Sequence, residues 1–277
     1  MNASEKPEGQ GYDRVYGSFD SPLNQKLRQE AYGKDIGQHS WVTVEELEED
    51  IPPLRLSGTS HFLDLGCGPG GPLAYIAERA GCRGSGMDIS GEAITSAKAR
   101  AASSGLDGRL TLRKADSNEP IPYESGSFDG VISLDVVLHL RDRRAVFSEV
   151  ARVLIPGGRF LFTDAGVITG SVSDDEVRLR AVHGYTQFCP PGFNERMLEL
   201  AQLRLIDRVD RTAGLLKNAT GRLAARRAHQ AELQKIEGDA SFGRQQEYLE
   251  TVIELSRRGA VSRMMYLAET GLPDSSH

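Results

Sequence analysis

His61-Phe62-Leu63-Asp64-Leu65-Gly66-Cys67-Gly68-Pro69-Gly70-Gly71 begins as a short apolar strand, places an acid near its end and opens into a turn rich in glycine. Gly66, Gly68 and Gly71 match the spacing G-x-G-x-x-G, in which glycines permit a tight turn and let a ligand approach the backbone closely. Asp88 follows Gly66 by 22 residues, at the end of the next expected strand. An acid at that offset hydrogen-bonds ribose hydroxyls, so the stretch predicts a site for a nucleoside-like ligand at the first strand crossover.

Outward from the turn, strands alternate with helical periodicity, the pattern of a parallel sheet with helices on both faces. The spacing predicts strands over His61 to Leu65, Arg83 to Asp88, Leu110 to Lys114, Asp129 to Leu134 and Arg159 to Asp164. Helices are expected over Pro72 to Ala80, Gly91 to Ser104 and Arg143 to Leu154. Before this core the chain is polar and turn-rich to about Pro22, then helical through Leu23, Leu27 and Ala31, and Tyr32 to Trp41 reads as a loop. Thr43 with Glu46 three residues on is a capping box that opens a short acidic helix before Pro52-Pro53.

After residue 164 the alternation breaks. Val167 to Pro191 is a long connection with a helix expected over Asp174 to Val182, and connections of that length serve as lids or binding elements. A helix from Pro191 to about Leu203, a strand over Leu205 to Val209, helices over Gly214 to Ile236 and Arg244 to Arg258, and a strand over Ser262 to Ala268 complete the chain. The expected organisation is an N-terminal helical cap at 1–55, a ligand-binding core at 56–166, lid insertions with a sixth strand at 167–260, and a final strand and tail at 261–277.

The 277 residues carry 33 Lys and Arg against 39 Asp and Glu, a net charge of −6. Nucleic-acid binding rests on cations set against phosphates, so the balance favours a small-molecule substrate and no nucleic acid. With a mean hydropathy of −0.37 no membrane span is expected, and the polar N-terminus lacks the apolar stretch of a secretory signal. The expected location is the cytoplasm; a homo-oligomer is left open. Cys67, Cys82 and Cys189 are odd in number and lack CxxC spacing, which argues against disulfides and zinc; no metal is expected. The interval Arg204 to Lys235 holds eight basic and three acidic residues, either drawing in an anionic substrate or forming a solvated helix face.

Two cofactors use such a glycine turn, and Asp64 separates them. A carboxylate two residues before Gly66 suits a sulfonium and an ammonium and repels a pyrophosphate, unless it serves only to bond turn amides. That favours S-adenosylmethionine (SAM) over NAD. Asp64 to Gly71, Gly86-Met87-Asp88-Ile89-Ser90, Phe128-Asp129-Gly130-Val131-Ile132-Ser133 and the stretch Leu154 to Asp164 together resemble the class I SAM-dependent methyltransferases in order and spacing. The resemblance covers about residues 60 to 165. It implies an α/β, Rossmann-like seven-stranded sheet with helices on both faces, to which the cap and lid are added. It also implies that Gly66, Cys67 and Gly68 lie against the methionine part of SAM, Asp88 and Ile89 at the ribose, Asp116 and Ser117 at the adenine, and Leu134 near the methionine end.

Asp135-Val136-Val137-Leu138-His139-Leu140 follows the fourth strand, where sheet ends and ligands meet in this architecture. His139 is the candidate base, the alternative being a buried histidine bonded to backbone. The stretch is similar to one in phosphoethanolamine methyltransferases, which pair such a histidine with an N-terminal tyrosine; the resemblance implies His139 with Tyr32 as the catalytic pair. It further implies substrate contacts from His183 and Tyr185, although His183 stands where that family places an arginine. The loop Gly37-Gln38-His39-Ser40-Trp41 is expected to close over the cofactor, with Gln38, His39 and Trp41 at the substrate or with Trp41 plugging cap against core.

The expected function is methyl transfer from SAM to an O, N or C nucleophile of a small molecule, such as a specialised metabolite. Competing readings are a phosphobase N-methyltransferase, a SAM-binding protein without catalysis and an NAD-dependent dehydrogenase. Enzymes that methylate exocyclic base amines carry Asn/Asp-Pro-Pro-aromatic after the fourth strand, where this chain has Ser133-Leu134-Asp135-Val136.

Overall fold

A computed structural model describes residues 9–181 and 184–272. The strands are β1 (His61–Leu65), β2 (Arg83–Asp88), β3 (Leu110–Lys114), β4 (Phe128–Leu134), β5 (Leu154–Ile168), β6 (Leu203–Asp210) and β7 (Val261–Thr270). They form one sheet in the order β3-β2-β1-β4-β5-β7-β6, with β1 to β5 parallel and β7 antiparallel to both neighbours. The chain order reverses between β1 and β4, which opens a crevice at the carboxyl ends of those strands. The glycine turn, Asp88 and the segment after β4 all fall there.

Helices α3 (Val44–Asp50), α4 (Gly71–Ala80) and α5 (Gly91–Ser103) cover one face through Leu47, Leu73, Ile76 and Ile94. Helices α6 (Arg143–Val153) and α8 (Phe193–Leu200) cover the other through Phe147, Val150 and Leu198. The α/β architecture expected from the sequence is therefore present. Strand β5 runs well beyond the expected Arg159 to Asp164, because it pairs with β4 from Leu154 and with β7 as far as Ile168.

The stretch before Pro22, expected to be turn-rich, contains α1 (Gly9–Tyr16). Its eight residues include two glycines, a composition of weak helix propensity, and tertiary contacts hold it. The Asp13 carboxylate accepts from Ser90 Oγ at the N-cap of α5, and Tyr16 and Phe19 pack on Ala93. Helix α2 (Pro22–Tyr32) precedes the cap loop, and α7 (Asp174–Arg180) starts from a Ser173 capping box; Val182, its expected end, lies outside the described residues. The helix expected over Gly214 to Ile236 is broken at His229 into α9 (Thr212–Ala228) and α10 (Gln230–Glu237), after which α11 (Asp239–Arg257) leads into β7. At the break, His229 Nε2 lies 3.1 Å from the Glu30 carboxylate.

Candidate active site

Gly66 has φ of +79° and donates its N–H to the Met87 carbonyl at 2.8 Å; a Cβ there would come within 2.5 Å of the Val136 side chain. Only glycine lets the turn and the segment after β4 meet this closely. The turn is tied to β2 by Asp88, whose Oδ2 accepts from Gly68 N at 2.9 Å and whose Oδ1 accepts from Ser90 N at 2.8 Å. Each oxygen keeps a further acceptor position for a hydroxyl. Burial raises the Asp88 pKa, against the two backbone donors that lower it.

Asp64 is 2% exposed, and no hydrogen-bond donor or cation among the described residues reaches its carboxylate. Its pKa is pushed up to about 8, chiefly by burial and secondarily by the Asp88 charge. Two buried carboxylates without a counter-ion fit a ligand that brings positive charge and hydroxyls, which the sulfonium, ammonium and ribose of SAM supply. A pyrophosphate would meet Asp88 as a like charge and would disfavour ionisation of Asp64.

Among the other expected cofactor residues, Cys67 and Leu134 are buried, Ser117 is buried and Ile89 is half-buried. Burial pushes the Cys67 thiol well up, so it lines the turn as an apolar group. Asp116 is half-buried and orders its own turn, accepting from Asn118 N at 2.9 Å and Asn118 Nδ2 at 3.1 Å.

On the other side of the crevice, Asp135 adopts the left-handed conformation, with φ of +60°. Its N–H donates to Thr163 Oγ1 at 2.8 Å, and its Oδ1 accepts from Thr163 Oγ1 at 2.8 Å and from Arg263 Nε at 2.7 Å. Its Oδ2 accepts from Trp41 N at 2.7 Å. The fully buried Arg263 also donates from Nη1 to Glu46 at 2.7 Å. Cap, β5 and β7 thus converge on the residue that starts the loop to His139.

His139 ends a short 3₁₀ turn, Val137–His139, and its Nδ1 lies 2.8 Å from the Tyr185 carbonyl. A carbonyl only accepts, so Nδ1 carries the hydrogen and Nε2 keeps its lone pair. Burial holds the His139 pKa below the ordinary histidine value, opposed by the Tyr185 carbonyl. The ring of Tyr12 stands edge-on to it, with centroids 5.9 Å apart. Tyr16, one turn further along α1, has its hydroxyl 3.3 Å from His39 Nδ1 and 3.2 Å from where a Cβ on Gly68 would sit.

The remaining expected residues are distributed around this centre. Tyr32 is buried; its hydroxyl accepts from Arg222 Nε at 2.6 Å and from Arg222 Nη2, and donates to Ser40 O at 3.4 Å. Gln38 is fully buried and closes its own loop, Oε1 accepting from Ile36 N at 2.9 Å and Nε2 donating to Lys34 O at 3.3 Å. Trp41 is buried among Leu215, Ala219, Leu223 and Tyr248. Tyr185 is 41% exposed, and His183 lies outside the described residues. The basic interval is largely paired, as with Arg204 to Glu269 at 2.7 Å, Arg208 to Glu195 at 2.8 Å and Arg211 to Asp50 at 2.8 Å.

Tyr12, Tyr16, Asp135 and Arg263 were not singled out as site residues in the sequence. For the tyrosines a signal existed, aromatics at i and i+4 in a polar stretch, which is one face of a helix. Arg263 offered none.

Residues 63–162 match the family described as methyltransferase domain. Methyltransferase GfsG of Streptomyces halstedii is 32% identical over 166 residues, 60% of this chain and 54% of that protein. The 27-O-demethylrifamycin SV methyltransferase of Amycolatopsis mediterranei (strain S699) is 31% identical over 156 residues, 56% of this chain and 57% of that protein. The chain thus spans about half the length of the curated relatives it matches. Haemonchus contortus phosphoethanolamine N-methyltransferase 2, solved in complex with S-adenosyl-L-methionine, shares the fold with a TM-score of 0.80 at 18% identity, covering 98% of this chain and 61% of that one. No helix among the described residues is long and apolar enough to cross a membrane. Residues 63–162 thus carry a methyltransferase domain, and the described residues share the seven-stranded Rossmann-like fold of SAM-binding methyltransferases.

Proposed function

We propose that this protein transfers a methyl group from SAM to an oxygen, nitrogen or carbon nucleophile of a small molecule, such as a specialised metabolite, in the cytoplasm. The observation that carries the reading is the pair of buried carboxylates, Asp64 and Asp88, without a cation at the glycine turn. In this reading residues 1–55 cap the core of 56–166 and residues 167–260 form the substrate lid.

SAM supplies a methyl carbon activated by its sulfonium for in-line displacement. The chain's own task is then to align the nucleophile and exclude water. Asp88 and the glycine turn hold the ribose and methionine ends, with Asp116 and Ser117 at the adenine. Helix α1 shields the turn through Tyr16. His139 Nε2 takes the proton of a nucleophile that carries one, and Tyr12 orients it from the ring edge, in the place that the family resemblance assigned to Tyr32.

Equilibrium binding of SAM against NAD, followed by S-adenosylhomocysteine (SAH) formation with candidate substrates, tests this; binding of NAD without SAM defeats it. Asp88→Ala is expected to weaken SAM about 10- to 100-fold, the loss of one or two hydrogen bonds to a charged group. Calorimetry reads this directly, and an unaltered Kd removes Asp88 from the ribose.

Asp64 adds a proton linkage. With its pKa near 8 in the free chain, it is protonated at neutral pH, and a bound cation favours its ionised form. SAM binding at pH 7 therefore releases up to about one proton, and affinity rises with pH until about 8, then levels. Calorimetry in buffers of different ionisation enthalpy counts the proton. Asp64→Asn should abolish the release, and a release that survives in this variant belongs to another group.

A further inference from the structure

We propose that the methyl acceptor carries an oxyanion, a carboxylate or phosphate monoester, bound by Arg180 and Arg222 where cap and lid meet beside Trp41. The proposal rests on the methyltransferase reading and names the substrate class of that site.

Most buried and half-buried arginines among the described residues have a carboxylate partner, while Arg180, Arg222 and Arg109, which donates to the Ala77 carbonyl at 3.4 Å away from this site, have none. Arg28 pairs with Asp35 at 3.0 Å, Arg143 with Asp164 at 2.6 Å, Arg159 with Glu269 at 3.1 Å, and Arg263 with both Asp135 and Glu46 at 2.7 Å. Arg180, only 5% exposed, has no carboxylate partner among the described residues. Its guanidinium donates to Tyr248 OH at 2.9 Å and to the Ala165 carbonyl at 3.2 Å, both neutral. Half-buried Arg222 likewise has only neutral hydrogen-bond acceptors among the described residues, the Tyr32 hydroxyl and the His39 carbonyl. Withdrawing a cation from water without a counter-ion is unfavourable, and this chain does so fully for Arg180 on α7 and in part for Arg222 on α9.

Both guanidinium groups flank one indole, Arg222 at 4.5 Å and Arg180 at 6.0 Å from the Trp41 ring centroid. Both also reach the reaction centre electrostatically. Burial is the main cause at both groups, lowering the His139 pKa, to which Arg180 adds, and raising that of Tyr16, which Arg222 opposes; the Tyr16 hydroxyl lies over Gly68. Of the nearby carboxylates, Asp164 is paired with Arg143, and Asp135 and Glu46 share Arg263. The crevice is therefore complementary on two sides. Unpaired carboxylates face the cationic cofactor, and unpaired guanidinium groups with N–H donors to spare remain for an anion, to which arginine bonds in bidentate geometry.

The test loads the full chain with SAH and titrates inorganic phosphate or benzoate at constant ionic strength, with chloride as control, following the melting temperature and binding heat. A saturable rise in melting temperature is expected with at least one anion, weakened about tenfold or more in Arg180→Met and Arg222→Met, and partly restored in Arg180→Lys. Saturation by phosphate alone identifies a phosphate ester, by benzoate alone a carboxylate, and by both the shared oxyanion chemistry. SAH binding by each variant reports its fold; if Arg180→Met does not fold, Arg222→Met and Arg180→Lys carry the comparison. No effect beyond chloride, or identical titrations in the variants, overturns the proposal. Should the parent chain fail to bind SAH, the cofactor reading falls, and the same titration of the unloaded chain still decides the anion site.

Discussion

Arg263→Met is expected to lower the free energy of unfolding by about 3–5 kcal/mol, the cost of leaving buried carboxylates without their cation. The side chain is fully buried and holds two acids at once, Asp135 through Nε and Glu46 through Nη1, each at 2.7 Å. Methionine conserves most of the volume, so the loss is electrostatic rather than a cavity. Part of what Arg263 restrains is the left-handed backbone of Asp135, a conformation that costs about 1–2 kcal/mol for a residue with a Cβ. Urea unfolding should show a lower midpoint at constant slope. Arg263→Lys should recover only part, because an ammonium is a single point charge and cannot span both acids as the planar guanidinium does. A loss below about 1 kcal/mol, the range of solvated surface pairs, would show that the network does not hold the cap.

The parts of the site that were legible in the sequence are those whose residues are close along the chain or recur at a fixed offset. Gly66, Gly68, Asp64 and Asp88 belong to one strand-turn-helix-strand unit, so spacing alone brought them together. The five parallel strands followed from alternation of apolar runs with helical periods. Helix α1 was marked only by the spacing of Tyr12 and Tyr16, because its stability is tertiary: its glycines argue against a helix, and Asp13, which secures it, bonds Ser90 across 77 positions. The link from Arg263 to Asp135 and Glu46 spans 128 and 217 positions, and no local pattern reports such a pair.

Tyr32 illustrates the same limit from the other side. As the aromatic just before the cap loop it was a reasonable partner for His139, yet Arg222 on α9, 190 positions away, engages its hydroxyl. Tyr12, whose one sequence signal is its spacing of four from Tyr16, is the ring that stands against His139. The resemblance to phosphoethanolamine methyltransferases pointed to one tyrosine, and the packing of α1 on α5 presents another.

His139→Ala is expected to slow methyl transfer about 10²- to 10⁴-fold for an acceptor that must lose a proton, the range of general-base removal, while SAM affinity stays unchanged. Nδ1 is committed to the Tyr185 carbonyl, which leaves Nε2 as the basic atom. Burial lowers the pKa of the ring, so the neutral, proton-accepting form predominates at neutral pH. Turnover should therefore fall only as the pH drops below the ordinary histidine value of about 6.5, and this acid limb should vanish in His139→Ala. Added imidazole should restore part of the rate if the missing function is proton transfer, since the deletion opens space at the ring position. SAH formation in single-turnover experiments separates these effects from product release. Unchanged turnover with a saturating acceptor would reduce His139 to a packing residue, tied to Tyr185 and edged by Tyr12, and would leave alignment by the Asp135 turn as the chain's main contribution to the reaction.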